Sequence, residues 1–461
     1  MIKISQSQLD MQEIDRVYDE LIAPVVVAGL KTIFANEPTY ACHANPNVYH
    51  GFLIAAAFLR KYNLDPGRCD EASLKKNVLD YLLGGKTNPQ QYLESIILSF
   101  WRCAADHFVE MHNNINLNAH ILYLNDSEVE ALSKWTAFKE AALGDATEDE
   151  RRKFLLSVLN QHTIHLFVDV TDTDISRWKS GKGNITKTKI RSIDLAPDLS
   201  VSLRGELNQN GKPKKDFPCA LQMLETVFNY AQINEKDENT TPRHQLLSSM
   251  KVPVCPYCNR QYITMYSTEI KKTRKSVSLT TADLDHFYIK SEYPYLSLSL
   301  FNFIPSCQIC NSRFKGTTDF YLYPHVYPYE EEFGDDAKFS LKLDASLMDD
   351  KANWDRMIEL SDKSGEDAVR NSISTFMLEQ VYQSHGDYVH EIWVKSKAYS
   401  KDKIESLKAE YGDLLGDNRS IMDLIYGQYL DQSQMYLRPL SKLTKDILEE
   451  CYDGEIDWES L

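Results

Sequence analysis

The chain has 461 residues, 26% of them charged, 43% apolar, and a formal net charge of −16. That length allows two or three domains with sizeable cores, and the composition is that of a globular protein. No apolar run reaches the roughly 18 residues of a membrane span, and no cationic start followed by an apolar run and a small-residue cleavage site suggests secretion, so a cytoplasmic protein with no membrane role is expected.

In chain order, apolar residues recur at helical spacing over 8–35 (Leu9, Ile14, Val17, Leu21, Ile22), 48–62, 90–112 and 148–161. Asn88-Pro89 makes a helix start with proline in the first turn. The histidines here, including His43, His50 and His107, have no spacing that makes a metal set and read as structural. These elements define a helical region over 1–171. Residues 172–242 form a mixed connecting region. Lys, Ser, Thr, Asn and Gly dominate 172–215, residues 217–232 turn helical, and Ile233 to Pro242 reads as a polar linker. A short helix over 243–250 then leads into the segment 243–333.

That segment carries the chemistry. Four of the nine cysteines form two hooks, Cys255-Pro-Tyr-Cys258 and Cys307-Gln-Ile-Cys310, with 48 residues between them. Each hook offers two thiolates to one ion, the arrangement of a structural tetrahedral zinc, and four thiolates leave that ion no open position for catalysis. A redox dithiol would need one hook. The cysteines at 42, 69, 103, 219 and 451 read as small buried hydrophobes.

Asp285-His286 lies between the hooks, with Asn302 before and Asn311 after the second pair. A neutral imidazole can take a proton from water near pH 7. Asp285 and Asn311 are oxygen ligands suited to a hard cation. Asp283 is either a further ligand or a solvated strand residue. His325, within Tyr-Leu-Tyr-Pro-His-Val-Tyr-Pro, either approaches such a metal from the far side or belongs to a packed aromatic turn. From Lys251 to Gly316 nine Lys/Arg stand against four Asp/Glu, a basic island in an acidic chain and the footprint of a phosphate-binding surface. Its densest run, Lys271-Lys272-Thr-Arg274-Lys275, either grips a nucleic-acid backbone or forms a solvated hairpin tip.

The ordered set over residues 255–316 resembles the zinc-stabilised ββα-metal (HNH) endonucleases, close in pattern to endonuclease VII and McrA-like enzymes. The resemblance implies an α+β, predominantly helical protein with this nuclease module embedded between helical regions. It implies Asp285 and Asn311 as ligands of a catalytic Mg²⁺ or Mn²⁺ and His286 as general base. Asn302 would fix the His-bearing strand, and Arg313 or Lys315 would contact phosphate. Two departures stand out: Asn311 replaces the His of many relatives, and the stretch 259–284 is long for the family. The expected substrate is DNA, with RNA such as tRNA as the alternative; a zinc-stabilised interaction protein without activity is the non-enzymatic one.

Beyond the motif, Phe339-Ser-Leu-Lys-Leu alternates as a strand. From about 364 helical spacing returns (Leu378, Val381, Tyr382, His385, Val389, Ile392), giving a region 334–461 of short strands and then helices. Large acidic helical flanks suit docking a protein partner. The arrangement is similar to HNH effectors of Septu-type (PtuB-like) or retron-associated anti-phage systems, which implies an SMC-like ATPase partner.

Overall fold

In the computed structural model, residues 1–111, 121–122, 163–167, 190–194, 201–205, 218–235, 240–270, 275–342 and 351–452 are described. The expected helix over 148–161 and the basic residues Lys271, Lys272 and Arg274 lie outside them; Lys275 is described through its backbone alone.

The fold is predominantly helical. Its N-terminal part comprises α1 (Met11–Val17), α2 (Ala23–Ala35), α3 (Glu37–Ala41), α4 (Pro46–Lys61), α5 (Glu71–Leu82) and α6 (Pro89–Met111). The Asp10 carboxylate caps α1 by accepting from Glu13 N–H, and the Asp70 carboxylate caps α5 from Ser73 N–H. The helical spacing over 8–35 is one path with a defect. Pro24 cannot donate to the ladder, and the wider π turn Tyr18–Ile22 absorbs the lost bond before α2 begins.

After a three-stranded antiparallel sheet of β1 (Ile121–Leu122), β2 (Thr163–Phe167) and β3 (Ile190–Asp194) come α7 (Val201–Arg204) and α8 (Ala220–Val227). α8 packs against both α2 and α4. The close approach explains two glycines. A Cβ on Gly29 would lie 2.8 Å from Val227 Cα, and one on Gly51 would lie 3.0 Å from Ala220 N at the start of α8 and 2.7 Å from Ser202 O on α7.

Helix α9 (Pro242–Met250), capped by the Thr241 hydroxyl, ends at Lys251 in the left-handed conformation. The long stretch after the first hook becomes an antiparallel ribbon, β4 (Met265–Ile270) with β5 (Lys275–Thr280). β6 (Ala282–His286) pairs with β7 (Phe303–Cys307) in a register that sets Ala282 opposite Cys307 and His286 opposite Phe303. A π-helical segment, Ile309–Lys315, follows. β8 (Ala337–Leu341) pairs with β9 (Ile358–Asp362), and among the described residues six α-helices follow: α10 (Asp367–Thr375), α11 (Leu378–Gln383), α12 (Gly386–Ala398), α13 (Lys401–Leu415), α14 (Asn418–Tyr426) and α15 (Ser441–Tyr452).

One continuous buried cluster runs from Met1 to Tyr452. Three hydrogen bonds tie its parts together. Ile2 N–H donates to Pro256 O (3.0 Å), setting the first residues against the first hook. On the other side, Tyr382 OH donates to Cys258 O (2.6 Å) and Leu440 N–H to Asn259 O (2.6 Å). Among the described residues, no helix is long and apolar enough to cross a membrane.

Candidate metal centre and adjoining cleft

The first hook is a tight knuckle. Cys255 N–H donates to Gln261 O (3.0 Å), Asn259 N–H turns back to Cys255 O (2.8 Å), and Asn259 takes a positive φ of 48°. Asparagine tolerates that conformation better than most residues. Its side chain is spent on the C-terminal region: Nδ2 donates to Met435 O and Arg438 O (3.3 Å each), and Oδ1 accepts from Lys442 N–H (3.2 Å). The second hook spans the end of β7 and the start of the π-helical segment, where Cys310 N–H donates to Cys307 Sγ (3.5 Å).

The β6–β7 register and the knuckle bring all four sulfurs together. Cys255, Cys258, Cys307 and Cys310 are buried, and their sulfurs lie within 4.8 Å of one another. A tetrahedral zinc with thiolates at about 2.3 Å has ligand sulfurs about 3.8 Å apart, so the donor set and spacing fit a structural metal such as zinc. Hydrogen bonds from Cys255, Cys258 and Cys310 push the Cys307 thiol far below its ordinary range. None of the nine cysteines is in a disulfide.

Both hooks also reach Asp285. Tyr257, inside the first hook and stacked on Phe376, donates its hydroxyl to Asp285 Oδ2 (2.7 Å). Lys315, at the end of the π-helical segment, donates to Asp285 Oδ1 (2.9 Å) and to the His286 carbonyl. The Lys315 side chain is only 1% exposed. It is thus an internal ion-pair partner, unlike the surface phosphate contact that the motif suggests for this position. Arg313 is exposed on the same segment and is not among the residues lining the cleft.

His286 ends β6 and sits between the rings of Tyr230 and Phe303, with centroids at 4.6 and 5.1 Å. Its Nε2 is 2.9 Å from Ser297 O. A carbonyl only accepts, so Nε2 carries the proton and Nδ1 presents its lone pair. Burial holds the imidazole pKa down to about 4, although the Ser297 carbonyl and Asp285 favour the charged form.

The N-terminal helices fix the loop that carries Ser297. Tyr81 OH donates to Tyr295 O (3.0 Å), Tyr18 OH donates to Leu298 O (2.9 Å), and Ser297 OH donates to Phe228 O. Asn302 braces the same loop from inside. Its Oδ1 accepts from Tyr288 N–H (2.8 Å), and its Nδ2 donates to Tyr288 O (3.0 Å) and Leu296 O (3.1 Å).

An open cleft of about 480 Å³ wraps the end of β6, and Asp283, Asp285, His286 and Asn311 all line it. Pleating puts Asp283 and Asp285 on one face of the strand. Asn311 Nδ2 donates to Asp283 Oδ2 (3.0 Å), and Arg243 contacts Asp283 Oδ1 (3.4 Å) from α9. Lys290 lines the opposite lip, its ammonium 4.5 Å from the centre of the Tyr230 ring. His325 takes the packed aromatic alternative. It stacks on Phe320 at 3.7 Å, with Nδ1 against Tyr323 O and Nε2 against Thr375 Oγ1.

Asp285, His286 and Asn311 line one cleft, and the four cysteines form one cluster that could hold a structural metal such as zinc. Sequence reasoning did not assign roles to Arg243, Tyr257, Lys290 or Tyr230. Tyr257 carried one usable signal, a polar aromatic residue inside a metal hook. No protein-family model, no curated protein and no solved structure matches the chain.

Proposed function

We propose that this chain is a metal-dependent endonuclease of the HNH type that hydrolyses phosphodiester bonds in DNA. The observation that carries the reading is a neutral, directionally fixed imidazole beside two oxygen ligands in one cleft: His286 with Nδ1 as acceptor, and Asp285 and Asn311. The paired strands β6 and β7 followed by the segment Ile309–Lys315 support the ββα form of the module.

In this reading Nδ1 of His286 takes the proton of the attacking water, and the Ser297 carbonyl keeps the imidazole oriented and stabilises the imidazolium that forms. Tyr257 and Lys315 hold the Asp285 carboxylate in one orientation. Lys290 and Arg243 supply positive charge at the lips for a phosphate backbone. A Mg²⁺ or Mn²⁺ held by Asp285 and Asn311 would supply Lewis-acid stabilisation of the phosphoryl charge and leaving oxygen. The four-cysteine centre, holding zinc, keeps both partners of Asp285 in register.

The resemblance to anti-phage HNH effectors extends the proposal to a partner ATPase.

The test incubates purified, zinc-loaded protein and His286→Ala with plasmid DNA and with total tRNA, each with Mg²⁺ or Mn²⁺. Metal-dependent DNA cutting by the parent alone is expected. Cutting of tRNA only would move the substrate to RNA. Retained zinc and fold with neither substrate cut, in the presence of the partner ATPase as well, would leave a scaffold.

A further inference from the structure

We propose that Lys315 is a tethered substitute for the divalent cation at Asp285, so that the cleft accepts metal together with a phosphodiester and poorly without one. The inference rests on the nuclease reading of this site and adds the order in which its charges assemble.

Lys315 is held in a way that a surface lysine is not. Its ammonium touches Asp285 Oδ1 at 2.9 Å and the His286 carbonyl, lies 4.9 Å from the centre of the Phe320 ring, and is 1% exposed. Tyr257 occupies the second carboxylate oxygen at 2.7 Å. Both oxygens of the proposed ligand are therefore engaged, and a full positive charge already sits where a metal's charge would act.

The other described groups lining the cleft repeat the pattern. Asp283 is engaged by Arg243 and Asn311. Three cations, Arg243, Lys290 and Lys315, stand against two carboxylates, Asp283 and Asp285. A divalent ion entering alone meets net positive charge in a partly dry site, where like charges repel more strongly than in water. A phosphodiester adds the missing anion. Linkage then requires that nucleic acid tighten metal binding and that metal tighten nucleic-acid binding by the same factor.

A purely structural lysine predicts the reverse response to substitution. If Lys315 only braces Asp285, replacing it loosens the ligand and weakens metal binding. If it stands in for the metal, replacing it with a neutral group of similar reach removes the competitor.

The experiment uses the full zinc-loaded chain in a His286→Ala background, so that bound DNA is not cut. Mn²⁺ binding is read by electron paramagnetic resonance of the free ion, with and without a short duplex oligonucleotide. The oligonucleotide should tighten Mn²⁺ binding by about tenfold, within the usual range of such couplings. Lys315→Gln should bind Mn²⁺ alone about tenfold more tightly than its parent, with a smaller effect of the oligonucleotide.

Equal Mn²⁺ affinity with and without oligonucleotide overturns the proposal while leaving a metal-binding nuclease site intact. Weaker Mn²⁺ binding by Lys315→Gln assigns Lys315 a bracing role and also overturns it. No Mn²⁺ bound in any arm, with plasmid left uncut by the wild type, removes the nuclease reading itself. Should Lys315→Gln not fold, the oligonucleotide comparison in the parent decides alone.

Discussion

Replacing Asn302 by alanine removes a side chain that is fully buried and bonded only to backbone. Three backbone groups lose a bond: the N–H and the carbonyl of Tyr288, and the carbonyl of Leu296, which keeps its bond from Ser299 N–H (3.1 Å). A buried hydrogen bond removed from one side costs about 1–3 kcal/mol, so the loss should reach about 2–4 kcal/mol with partial relaxation. That is a large share of the roughly 5–15 kcal/mol that holds a typical domain folded. Urea denaturation followed by tryptophan fluorescence, with zinc release read in parallel, measures it as a lower midpoint at constant slope. Asn302→Asp should do no better, because it keeps the acceptor for Tyr288 N–H and sets a carboxylate oxygen against two carbonyls. Activity should fall with both, since the disturbed loop carries the Ser297 carbonyl that orients His286. A loss within about 1 kcal/mol for Asn302→Ala, below the cost of even one orphaned group, would refute the bracing argument.

Chelation in reducing buffer should remove one metal ion per chain and collapse near-ultraviolet dichroism. Cys307→Ser should lose the metal in a colorimetric zinc assay while Cys451→Ser, outside the cluster, keeps it. The His286 pKa is about 4 when folded against an ordinary 6.5, so the unfolded chain binds the proton more readily between those values. The stability His286 contributes is therefore complete above about pH 6.5 and is lost as pH falls toward 4, an effect of about 3 kcal/mol that denaturation at a series of pH values will show and His286→Asn will diminish. Consistent with a base already neutral, the acid limb of the DNA-cutting rate should show no break near pH 6.5. Gly386→Ala would drive a Cβ into the Asp355 backbone and to 2.6 Å from the Trp354 carbonyl carbon, so thermal unfolding should reveal a loss of about 1–3 kcal/mol without loss of zinc.

Much of this site could be read from spacing because its chemistry is local in sequence. Two cysteines three apart can only bend toward a common ion. The Asp283–Asp285 alternation fixes which side chains share a strand face, and Asn88-Pro89 marks a helix start that is observed at Pro89. The break between α1 and α2 was half legible: Pro24 was visible, but periodicity alone runs through it. Other features depend on distant partners. Whether Lys315 points to solvent or to Asp285 is decided by a residue 30 positions earlier and by the metal hooks that bring the two together. Arg243 enters the cleft from a helix outside the motif, and its role has no local signature. Tyr18 and Tyr81, which support the Ser297 loop, look like any aromatic residues on an amphipathic helix until the loop is seen against them.

The Asn259 knuckle bears on how such a protein can diversify. Its carbonyl and side-chain amide are completed by Met435, Arg438, Leu440 and Lys442, and the neighbouring Cys258 carbonyl by Tyr382. The segment that carries the four-cysteine cluster is therefore no portable cassette. Excised over 243–333 and grafted onto another scaffold, it would carry every metal ligand yet leave its own first hook with dangling polar groups. New specificities in such a lineage should arise by growth at the periphery, in stretches such as the β4–β5 ribbon, while centre and C-terminal helices are inherited as one piece.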